Sequence, residues 1–78
     1  MTSYRFKLSG STFSAGTDKE FVAGLRSFSH YPIQDDMNQI RSLASLYSNL
    51  RKKPFRFSSV PEFRSDMLRH GVLEVVDA

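Results

Sequence analysis

Residues Tyr4-Arg5-Phe6-Lys7-Leu8 alternate apolar and charged side chains, the period of two that marks a half-buried strand. That pattern turns Tyr4, Phe6 and Leu8 inward and leaves Arg5 and Lys7 outside. Ser9-Gly10-Ser11 reads as a turn, and Thr12-Phe13-Ser14 as a short second strand or a loop. From Thr17 the period changes. Thr17-Asp18-Lys19-Glu20 has the form of a capping box, in which Thr17 accepts from the amide of Glu20 and Glu20 reaches back to the amide of Thr17. Phe21, Val22, Leu25 and Phe28 then recur at helical spacing, so a helix is predicted over 18–28, halted before Pro32.

A second, longer helix is predicted over 33–52, with Pro32 suiting its first turn and Asp35 and Asp36 near its positive end. Its apolar stripe is Ile33, Met37, Ile40, Leu43, Ala44, Tyr47 and Leu50, widened by Leu46. Gln34, Asn38, Gln39, Arg41, Ser42, Ser45 and Asn49 occupy the other face. Phe55-Arg56-Phe57 alternates again and predicts a short strand. Ser59-Val60-Pro61-Glu62 is a second capping-box pattern, opening a helix that buries Val60, Phe63, Met67 and Leu68 and stops at Gly71 in a left-handed cap. Val72-Leu-Glu-Val-Val76 predicts a closing strand, joined to residues 55–57 by a compact right-handed crossover between parallel strands. The expected fold is α+β: a small sheet of three to four strands covered on one face by three helices, with residues 1–78 forming a single domain.

Composition removes several classes of chemistry. The chain has 78 residues and no cysteine, which excludes disulfide scaffolds, thiolate zinc sites and cysteine nucleophiles. His30 and His70 fall at predicted helix ends, where an imidazole near free carbonyls helps finish a helix. No serine stands in a Gly-x-Ser-x-Gly elbow. Asp35 and Asp36 are adjacent on a helix and point about 100° apart, so they do not converge on one proton or ion. Gly10, Gly16, Gly24 and Gly71 are scattered rather than gathered into a phosphate loop. The amides after Ser14-Ala15-Gly16 are claimed by the Thr17–Glu20 cap. No catalytic residue, metal or cofactor is expected, and the minor enzymatic alternative pairs His70 with Asp66, one helical turn away. The opening residues lack a long apolar run, so neither a signal peptide nor a membrane anchor is expected, and the chain reads as a soluble cytoplasmic protein.

Charge then singles out one stretch. The net charge is +3, and four cations fall within Arg51-Lys52-Lys53-Pro54-Phe55-Arg56-Phe57. Arg51, Lys52 and Lys53 complement a helix C-terminus. If the strands at 4–8 and 55–57 are neighbours, Arg5, Lys7 and Arg56 project from one open sheet face, with Lys52 and Lys53 at its rim. Such a patch suits an acidic protein surface or a phosphate backbone. Phe55 and Phe57 fall on the inward register, which leaves that face without base-stacking aromatics. A helix-turn-helix reading of 18–52 places Asp35 and Asp36 where phosphates would approach, which argues against it. Tyr31, before Pro32, is a candidate exposed anchor. The expectation is a small non-enzymatic regulator or inhibitor, monomer or homodimer, docking on a larger protein or nucleoprotein complex in the manner of phage- or plasmid-borne modulators of host machinery. Its contact residues would be Arg5, Lys7, Tyr31, Arg51, Lys52, Lys53 and Arg56. The alternative is a largely nonspecific nucleic-acid-binding module using the same cations.

Overall fold

Both serine/threonine–glutamate signals start helices in the computed structural model, which describes residues 1–29 and 32–76. The elements are β1 (Thr2–Phe6), β2 (Thr12–Ala15), α1 (Asp18–Ser27), α2 (Asp36–Arg51), α3 (Val60–Arg69) and β3 (Leu73–Val76). At α1 the reciprocal cap is complete: the Glu20 amide donates to Thr17 Oγ1 at 3.1 Å, and Glu20 Oε1 accepts from the amides of Gly16 and Thr17 at 2.7 and 3.1 Å. At α3 the Ser59 hydroxyl accepts from the Glu62 amide at 3.4 Å and donates to the Glu62 carboxylate at 3.1 Å. The end of α3 is a Schellman turn. The Val72 amide reaches back to the Met67 carbonyl at 2.9 Å and the Gly71 amide to Leu68 at 3.4 Å, with Gly71 at φ 79°.

The second helix begins later than its apolar spacing suggests. Asp35 is its N-cap and accepts from the Asn38 amide at 2.9 Å. Residues 33 and 34 are held outside it by Arg26, whose Nε donates to the Ile33 carbonyl at 2.7 Å and whose Nη2 reaches the Gln34 carbonyl and Asp36. Gln39, read as a surface residue, is fully buried, because its Oε1 takes the Ile33 amide at 2.7 Å. Pro32 therefore precedes the helix instead of sitting in its first turn.

The sheet has three strands in the order β2-β1-β3, both pairings antiparallel. Tyr4 stands opposite Phe13 and Val75, and Arg5 opposite Thr12 and Glu74. A turn after Phe6, closed by the Gly10 amide on the Phe6 carbonyl at 2.8 Å with Gly10 at φ 80°, ends the strand early. Leu8 therefore leaves the inward register and is 93% exposed. The expected parallel crossover does not form, since residues 54–57 are not a strand and β3 runs antiparallel to β1. The core gathers Tyr4, Phe21, Val22, Leu25, Ile40, Leu43, Phe55, Phe63, Met67 and Leu73 into one cluster. Within it Tyr4 stacks on Phe13 at 5.4 Å between ring centres and meets Phe21 edge-on at 5.1 Å.

Candidate docking groove

The basic sheet face expected from sequence is not assembled. Two of its members are drawn to acids. Arg5 pairs with Glu74 across the β1–β3 ladder. Arg56 lies against α3, where its Nε and Nη2 donate to the Asp66 carboxylate at 3.0 and 2.9 Å and its Nη1 meets Glu62 at 3.3 Å. The backbone explains why 55–57 cannot join the sheet. Its amides are already used by side chains: Phe55 donates to Ser48 Oγ at 3.2 Å and Arg56 to Asp66 Oδ2 at 2.8 Å. Phe55 is buried against Tyr47, Phe63 and His70, whereas Phe57 is 45% exposed, against its expected inward register.

Asp66 organises this corner, and sequence reasoning gave it only a minor part. It is almost wholly buried and also accepts from Arg69 at 3.0 Å. The hydrogen bonds from Arg56 hold its carboxyl down at about 2, against the opposing pull of burial. The Arg56 guanidinium is shifted the other way, upward, chiefly by the same bonds. Its partner in the enzymatic alternative, His70, instead turns its ring nitrogen to the Pro54 carbonyl at 3.2 Å. His30 and Tyr31 lie outside the described residues. Among the described residues, no group of three His, Cys, Asp or Glu side chains converges as a metal site. No described helix is long and apolar enough to cross a membrane.

Of the remaining candidates, Arg51 lies at a groove on another part of the molecule. An open groove of about 640 Å³ lies between the β1–β2 turn, the end of α1 and the C-terminal half of α2. Its size falls in the range of roughly 300–1,000 Å³ typical of ligand sites. The stripe of α2 leads into it: Ile40, Leu43 and Ala44 are buried, Tyr47 is half-buried, and Leu50 is 67% exposed. Phe28, 47% exposed although its ring touches Phe6 and Phe13, forms another wall with Leu8. Burial pushes the Tyr47 phenol up, with Arg51 opposing, so the floor stays uncharged at neutral pH. Arg51 lines the rim. Lys7 stands in the chain between the lining residues Phe6 and Leu8, and Lys52, in a left-handed conformation at φ 57°, leads on to Lys53.

Electrostatic pairing elsewhere sharpens the contrast. Every carboxylate among the described residues is engaged: Asp18, Asp36, Glu62, Asp66 and Glu74 in ion pairs, Glu20 and Asp35 in helix caps. Lys7, Arg51, Lys52 and Lys53 make no ion pair with a described residue, and no described carboxylate lines the groove. Comparison with protein-family models, curated proteins and solved structures finds no significant match.

Proposed function

We propose that this chain is a small non-enzymatic regulator or inhibitor that docks on a larger protein or nucleoprotein assembly, with the groove as its contact surface. The observation that carries the reading is the exposure of Leu8, Phe28 and Leu50 around one open apolar trough. In a chain this small each exposed apolar side chain forgoes stabilisation on the order of 1.5–3 kcal/mol, and a contiguous set of them marks an interaction surface. A second reading, contact with nucleic acid, draws on the run Arg51-Lys52-Lys53 together with Lys7, none of which pairs with a described carboxylate. With Arg5 and Arg56 engaged by acids, fewer cations remain to neutralise phosphates.

The test is to replace Leu8 and Leu50 by Glu together; both are exposed, so the core is left intact. A partner taken from native cells by the wild-type chain, then reconstituted from purified components, is expected to lose binding to the double variant by at least about tenfold. Undiminished binding would overturn the reading. A mobility shift with a steep salt slope, abolished by Lys52→Glu and Lys53→Glu but not by Leu50→Glu, would favour nucleic acid.

A further inference from the structure

We infer that the groove's occupant is an acidic amphipathic helix of the partner protein, an inference that rests on the docking reading above. Charge complementarity is the first ground. The walls are largely apolar, Arg51 lines them, Lys52 and Lys53 follow it in the chain, and Lys7 lies between the lining residues Phe6 and Leu8. None of the four pairs with a described carboxylate, and no described carboxylate lines the site. A segment that brings apolar anchors flanked by carboxylates satisfies both parts, and one that brings ammonium groups meets like charge at the rim.

The second ground concerns the backbone. An extended peptide gains its affinity by adding to a free sheet edge. Among the described residues lining the groove, only Phe6 belongs to a strand, and β1 has β2 on one edge and β3 on the other. The other walls are helix and turn, with no ladder to offer. An occupant must therefore carry its own satisfied amides and carbonyls into an apolar site, and a helix does so. The trough between Phe28 and Leu50 then takes anchors at i, i+3 or i+4, and i+7.

The test uses two labelled peptides of about 16 residues, long enough for helix to form on binding. Both carry Leu at i, i+3, i+4 and i+7; one has Glu and Ala elsewhere, the other Lys and Ala. Fluorescence polarisation is expected to show binding of the acidic peptide. Its affinity should fall at least about tenfold as salt rises from about 0.05 to about 0.5 M, and by a similar factor for Arg51→Glu with Lys53→Glu. Leu50→Glu should abolish binding. Equal binding of the Lys peptide, still lost in Leu50→Glu, overturns the acidic occupant and leaves groove docking standing. Failure of both peptides overturns the helix inference, and unchanged partner binding by the Leu8→Glu, Leu50→Glu variant removes the docking reading itself. Tighter association with anionic phospholipid vesicles than with the acidic peptide overturns the inference in favour of a membrane surface.

Discussion

Asp66 is the residue on which the corner between α2 and α3 depends. Its carboxyl sits at about 2 in the folded chain against an ordinary 3.8, so it stabilises the fold above about pH 4, and that contribution is lost as pH falls through about 2. A shift of this size corresponds to about 2 kcal/mol. Asp66→Asn should cost about that much at neutral pH, and the gap in urea midpoint between wild type and variant should close between about pH 4 and 2. A gap that does not change with pH would contradict the assignment. Gly24 offers a second residue-scale test. A Cβ there would lie 2.2 Å from Phe13 Cδ2, so Gly24→Ala must displace the ring that stacks on Tyr4. The expected loss is about 1–3 kcal/mol from overpacking, against about 1 kcal/mol of helix propensity gained. Phe13→Leu in the same background should recover part of it in thermal melts. Neither residue announces its role locally, since both roles depend on partners that are distant in sequence.

At the scale of elements, the sequence is most legible where a signal and its partner lie within a few residues. The Thr17–Glu20 cap, the Ser59 cap and the Gly71 stop are of this kind, and each sits where its pattern places it. Gly71→Ala tests the last: its Cβ would meet nothing within 4 Å, so the whole cost is the left-handed backbone, about 1 kcal/mol in melting by circular dichroism. A neutral result would mean that the turn relaxes. The segment at 55–57 misleads for the opposite reason. Phe-Arg-Phe carries the alternation of a strand, but its amides are satisfied by Ser48 and Asp66, seven and ten residues away. Nothing in a period of two distinguishes an amide waiting for a ladder from one already taken by a side chain. The same limit applies to Leu8, whose strand is cut short by the turn bond on the Phe6 carbonyl.

For the whole molecule, the α+β class, the three helices and the first and last strands follow from patterning. The pattern at residues 12–14 suits a strand or a loop, 55–57 is not a strand, and strand order depends on contacts between opposite ends of the chain. The cations at 51–53 stand out in sequence, but the apolar trough beside them does not. Leu50 and Phe28 have the spacing of core residues, and only the packed fold leaves them 67% and 47% exposed. That uncovered trough, rather than a basic sheet face, is the surface the account assigns to a partner. The most direct measurement is amide chemical-shift mapping as the acidic amphipathic peptide is titrated into the labelled protein. With the peptide seated in the trough, the largest shifts are expected on residues 6–9, 28–29 and 47–53. Shifts concentrated instead on Ser3, Arg5, Ser14 and Glu74, with the trough unchanged, would contradict that seating.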